Sequence, residues 1–160
     1  MKNKIFILLV LASLCAGILA KTFQNNANAQ LLDNLVIKGA SDEDIEKLLT
    51  RPGAVDVRDD RKRTPLHWAA IWGRSAQAEE LLSKGADIMA RDYKGNTPLH
   101  YAVQFDTNLA DRLIMIEKLL FYGADIYEHN GEGYSPIELS YSFFIRKMLL
   151  DFAIGGGVVG

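Results

Sequence analysis

Thr64-Pro65-Leu66-His67-Trp68-Ala69 returns 33 residues later as Thr97-Pro98-Leu99-His100-Tyr101-Ala102. Self-similarity at a fixed spacing of this size marks a chain built from stacked units, each covering the apolar face of its neighbour. Every residue of the phrase has a task in starting a helix. The Thr64 hydroxyl can cap a free N–H, Pro65 takes the first helical position, where no N–H is needed, and Leu66 points into the stack. His67 stands at the third helical position, placed to engage Thr64 in the manner of a capping box. The helix is predicted to run through Ile71 or Trp72 and to stop at Gly73. A second helix over Ser75 to Ser83 turns Ala78, Leu81 and Leu82 inward.

A period near 33 carrying T-P-L-H-x-A resembles the ankyrin repeat. The resemblance covers residues 31 to 152, and it implies an all-α solenoid of helix-turn-helix units joined by β-turn or hairpin links. It also implies that the chain binds other proteins. The repeat domain is expected over 30–153, as a degenerate unit (31–63), two full units (64–96 and 97–134) and a degenerate last unit (135–153), with 154–160 as a flexible tail.

Register supports the outer units. Leu48-Leu49 precede Leu81-Leu82 by the same period, and Leu31, Leu32, Leu35 and Val36 recur at helical spacing. Ser41 reads as the N-cap of the helix that follows, with Asp44 at N3. Pro52-Gly53 ends that helix one place out of step with Gly85, which predicts an altered turn. Lys62 stands where the later tip has Gly95, which argues against an identical turn there. The third unit is longer than the second by five residues, within Asp106 to Asp111, where a loop between helices can grow at small entropic cost. Ser135-Pro136-Ile137-Glu138 replaces T-P-L-H, with Glu138 a favourable N3 residue.

Ahead of the repeats, Lys2 and Lys4 precede an apolar run from Ile5 to Ala20, broken by Ser13 and Gly17. This is the layout of a secretory signal peptide. Sixteen helical residues would span roughly 24 Å, short of a hydrocarbon core of about 30 Å. Ala27-Asn28-Ala29 is a cleaner small-residue site than Ala20, whose upstream neighbour Ile18 is large, so a signal peptide 1–29 cut after Ala29 is expected. The product would be secreted or periplasmic. The alternative is a membrane-tethered adaptor with an uncleaved leader. Leu14 before Cys15 disfavours lipidation, because a small residue is usual there.

The chain has 18 basic and 20 acidic residues. The first 29 contain three lysines and no acid, leaving 15 basic against 20 acidic residues, an acidic balance that excludes nucleic acid as an expected partner. The only Cys is in the leader, so no disulfide framework is available. His67 and His100 could suggest a metal or a catalytic pair, but capping explains their spacing and a metal site does not. No catalytic or phosphate-loop pattern is present. No enzyme, cofactor or metal is expected; a non-catalytic enzyme subunit is the remaining rival, and the chain is expected to be monomeric.

By the resemblance, recognition falls to the end of each first helix and to the turn tips. This gives Ile71, Trp72, Gln104 and Phe105 on helices, with Asp60, Arg61, Arg63, Tyr93, Lys94 and Asn96 on tips. Trp72 and Phe105 share the repeat spacing, and aromatics beside Arg are typical of binding hot spots. They are read either as surface anchors or as packing on each other across repeats. The run Arg58-Asp59-Asp60-Arg61-Lys62-Arg63 reads as a solvated tip of mixed sign and not as a nuclear or nucleic-acid patch, with Arg61 and Arg63 able to meet acids on a partner.

Overall fold

The computed structural model describes residues 18, 20–22, 24–32, 43, 47–48, 50–51, 53–104 and 108–155. The apolar leader before residue 18, Ser41, Asp44, Phe105 and the final five residues lie outside this set. Residues 24–32 are helical, an earlier start than Gln30, and Glu43, Lys47 and Leu48 are helical as well. A 3-10 turn, Ala54–Asp56, leads to the first complete unit. That unit is α1 (Pro65–Trp72) and α2 (Ser75–Ser83), the next is α3 (Pro98–Gln104) and α4 (Leu109–Phe121), and the last is α5 (Pro136–Leu139) and α6 (Phe143–Gly155).

Two rows result. The helices that open each unit pack side by side, α1 on α3 and α3 on α5, while α2 packs on α4 behind them. One core runs between the rows, through Leu66, Leu81, Leu99, Met115, Ile116, Leu119, Ile145 and Leu149. A second cluster closes the N-terminal end, where Leu32 and Leu48 meet Ala54, Val57, Trp68 and Ile71. The expected inward set of α2, Ala78, Leu81 and Leu82, is buried.

Both long helices of the second row end alike. Gly85 N–H donates to Leu82 O and Ala86 N–H to Leu81 O at 3.0 Å each, the paired bonds of a Schellman close. Gly123 and Ala124 repeat them on Leu120 and Leu119. Asp87 and Asp125 then accept from the backbone two residues on. The first unit has Ala54 at that register, and the 3-10 turn stands in its place, the altered turn that the displaced Gly53 predicts.

The five-residue insertion is mostly helix, not loop. α4 has 13 residues and α2 has 9, and Asn108 caps the lengthened end by accepting from Ala110 N–H at 3.1 Å. The apolar repeat Leu113, Met115, Ile116, Leu119 and Leu120 favours carrying the helix backwards into the inserted segment. At the other end, Ile154 and Gly155 belong to α6, so the expected tail begins later than residue 154.

Candidate functional site

The first two tips are built on one buried acid each. Asp59 is 7% exposed and Asp92 5%. Asp59 Oδ1 accepts from the N–H groups of Arg61 and Arg63 at 2.9 and 2.8 Å. Its Oδ2 accepts from Arg63 Nε and from the Trp68 indole at 2.8 and 3.0 Å. Asp92 does the same for Lys94 and Asn96, and takes the Tyr101 hydroxyl at 2.5 Å. Asn130 organises the third tip through Glu132 and Tyr134. A buried carboxylate is tolerable when donors fill its lone pairs, and here they do. Burial and the adjoining Asp92 push the Tyr101 hydroxyl well above its usual range, keeping it a donor.

Lys62 makes the same turn as its glycine counterparts. Its φ is 60°, beside 76° at Gly95 and 84° at Gly133, and Lys62 N–H donates to Asp59 O as Gly95 N–H does to Asp92 O. The Asp59 bonds hold the turn, so a non-glycine residue is carried in the left-handed region despite its cost. The same turn thus forms without the glycine whose absence weakens the case for it in the sequence.

Neighbouring tips are tied to one another. Tyr93 N–H donates to Arg61 O at 3.0 Å and Gly131 N–H to Lys94 O at 2.7 Å. Arg58 reaches the carbonyl of Arg91 at 2.9 Å, and Arg91 in turn reaches that of His129. Arg91 also pairs with Glu128 at 2.7 Å. Arg58, though exposed, and the partly buried Arg63 are therefore parts of the scaffold and not charges of a loose tip.

The motif histidines join this ladder from the helix side. Thr64 N–H and hydroxyl both donate to His67 Nδ1, at 3.1 and 2.9 Å. An accepting Nδ1 puts the proton on Nε2, which donates to Asn96 O in the next tip at 3.0 Å. His100 repeats the pattern with Thr97 and with Tyr134 O. Burial pushes His67 down to about 4, against the opposing pull of the Asn96 carbonyl and of Asp92. His100 is lowered by the same cause. Both nitrogens of each ring are engaged, which leaves no free lone pair for a metal.

Between the tips and α3 lies an open cleft of about 250 Å³ lined by Arg61, Tyr93, Lys94, Asn96, Tyr101, Gln104, Asn130 and Glu132. Five of the residues expected at a recognition surface meet here: Arg61, Tyr93, Lys94, Asn96 and Gln104. Tyr93 is 57% exposed on the rim. Asn96 is buried and committed to the ladder, accepting from Asn130 Nδ2 at 2.8 Å, so it shapes the cleft floor. Asp60 is exposed on the first tip. Arg63 lies over the Trp68 ring, its guanidinium carbon 3.9 Å from the centroid, and pairs with Asp59.

Ile71 is a core residue, 8% exposed in the N-terminal cluster, and not a surface one. Trp72 is half-buried: it packs on Trp68 at 5.0 Å and touches both core clusters, with the Arg74 guanidinium 4.9 Å from its ring centroid. Trp68, its aromatic partner here, lies one turn back on its own helix. Phe105 is outside the described residues. Asp59 and Asp92 carry no signal of burial in the sequence, although both share the 33-residue spacing of the motif.

A family model described as Ankyrin repeats (3 copies) matches residues 25–130. The chain belongs to the ankyrin repeat family. No curated protein matches it at a significant level. Ankyrin repeats generally mediate protein–protein interaction, and the cleft between tips and first helices of this ankyrin stack offers polar groups and an exposed aromatic together. The hydrogen-bond pattern extends past the matched segment. Ser135 N–H and hydroxyl donate to Glu138 Oε2 at 2.8 and 2.6 Å, and these bonds hold the Glu138 carboxyl below the usual range. No helix among the described residues is long and apolar enough to cross a membrane.

Proposed function

We propose that this ankyrin stack is a binding module or scaffold that grips its partner protein in the cleft between the three tips and α3. The observation that carries the reading is the convergence of Arg61, Tyr93, Lys94 and Gln104 on one open cleft. Arg61 and Lys94 suit an acidic side chain of the partner, and Tyr93 supplies a rigid aromatic contact. Trp72 and Asp60 extend the surface toward the N-terminal end. The tip ladder fixes the backbone beforehand, so little ordering opposes binding.

We propose further that the chain is exported, on the layout of its first 20 residues. Residues 24–32 supply Leu32 and Ala29 to the N-terminal cluster, and Asn28 is fully buried. This packing favours processing after Ala20, the other candidate position, because a cut after Ala29 would remove Asn28 from the folded domain.

Placing a photo-crosslinking residue at Tyr93, and in a second protein at Glu117 on α4, tests the cleft. A partner captured from Tyr93 alone, and lost on Arg61→Glu/Lys94→Glu in a protein that melts like the parent, supports it. Equal capture from both positions refutes it. N-terminal sequencing of the exported protein tests the leader: Lys21 at the terminus is expected, and an intact Met1 overturns cleavage.

A further inference from the structure

One side of α6 is packed and the other is exposed and apolar. Ile145 and Leu149 are fully buried against the stack, with Met148 and Phe152 packed beside them. At the helical repeat, the opposite side presents Phe143, Phe144, Lys147, Leu150, Asp151 and Ile154 within an arc of roughly 120°. Phe143, Phe144 and Ile154 are 75%, 67% and 84% exposed. Four large apolar groups thus share one face with one cation and one anion.

That face is self-complementary. We propose that it docks on the same face of a second copy of this chain, with the two α6 helices antiparallel about a two-fold axis level with residue 149. In this arrangement Phe144 meets Ile154 of the second copy, and Lys147 meets its Asp151; the symmetry makes each contact twice. No ion pair among the described residues uses Lys147 or Asp151, and a Lys placed four residues before an acid is the weaker order within one helix. The balanced charge also argues against a lipid surface as the occupant, since a helix lying on a membrane is rich in Lys and Arg on its polar side. A single seam of about 20 Å is short beside a standard interface, so the dimer is weak and depends on concentration. Paired tail to tail, the two copies present two clefts, and a partner with two epitopes gains avidity.

Charge exchange tests the seam by sedimentation of the full chain over a wide concentration range. The parent is expected to show a monomer–dimer equilibrium. Lys147→Asp or Asp151→Lys alone puts like charges together twice and weakens the dimer by about tenfold or more. Mixing the two variants restores association as a heterodimer, and Lys147→Asp/Asp151→Lys restores it within one protein. Both substituted positions are exposed, so melting curves near the parent's are expected to show intact folds. A parent monomeric at every concentration overturns the proposal. So do single variants that dimerise undiminished, a double variant that fails to recover, or a monomer that binds vesicles through α6.

Discussion

Lowering the pH from 7.5 to 5 is expected to weaken the fold through His67. The neutral ring is the form that fits, because Nδ1 must accept from Thr64 while Nε2 donates to Asn96. Burial holds its pKa in the folded chain at about 4, against 6.5 for a free histidine. A depressed folded value means that the unfolded chain binds the proton first. The stability is therefore complete above 6.5 and is lost as the pH falls toward 4. Across the whole window the loss is roughly 3 kcal/mol, and at pH 5 about 2 kcal/mol, from about 1.4 kcal/mol per tenfold preference. His100 adds a loss of the same sign. With a urea slope of about 1–3 kcal/mol per molar, the unfolding midpoint at pH 5 lies about 1 M or more below that at pH 7.5. Glu138 does not contribute in this window: its carboxyl is held below its ordinary value of 4.5, so its stabilisation is lost only at lower pH. His67→Gln, which keeps a capping residue at N3 but does not titrate, is expected to be weaker at pH 7.5 and to show a shallower pH dependence. Urea melts that keep the same midpoint between pH 7.5 and 5, or an equal slope in His67→Gln, would refute the reasoning.

Replacing Lys62 by Gly removes the cost of a side chain at φ 60° and is expected to raise stability by about 0.5–1 kcal/mol after the extra chain entropy of glycine; a lower melting midpoint would contradict it. Gly95→Ala brings a Cβ within 2.7 Å of Gly131 N, so a loss of about 2–3 kcal/mol is expected. Gly85→Ala, where no atom lies within 4 Å, is expected to cost only the strain of its positive φ, about 1 kcal/mol. Asp92→Ala removes the acceptor shared by the Tyr101 hydroxyl and two tip N–H groups and is expected to cost about 2–4 kcal/mol in chemical denaturation, with Tyr101→Phe clearly milder. Trp72→Ala, at a half-buried position, is expected to cost about 1–3 kcal/mol, below the full core range of about 3–5 for an aromatic; a loss of that full size would make it a packing residue alone.

The scaffold is legible because each of its signals is local and repeated. Thr64, Pro65 and His67 announce a helix start within four residues, and the same letters recur at 97–100. The inward residues of α2 follow from a 3.6 period alone. What escapes is what depends on another repeat. Asp59 and Asp92 look like solvent-facing acids in polar turns, and only the folded tip shows the donors that converge on them. His67 is readable as a cap, but its second nitrogen finds a carbonyl 29 residues away. Ile71 and Trp72 are adjacent on one helix turn, where a shift of one residue separates core from rim. Within the candidate site, Arg61, Tyr93, Lys94 and Gln104 are visible as tip and helix-end positions. Arg63 is not distinguishable from them, because its stacking on Trp68 is a tertiary contact.

The residue at the third helical position also acts as punctuation along the stack. His67 and His100 each receive the local cap on one nitrogen and pass a proton donor forward to the following tip, so either one says that another unit comes next. Glu138 receives the same cap with a carboxylate and has nothing to pass on. The letter that closes the helix start of the last unit is thus a full stop, and exchanging Glu138 for His is the first edit to make in lengthening this solenoid.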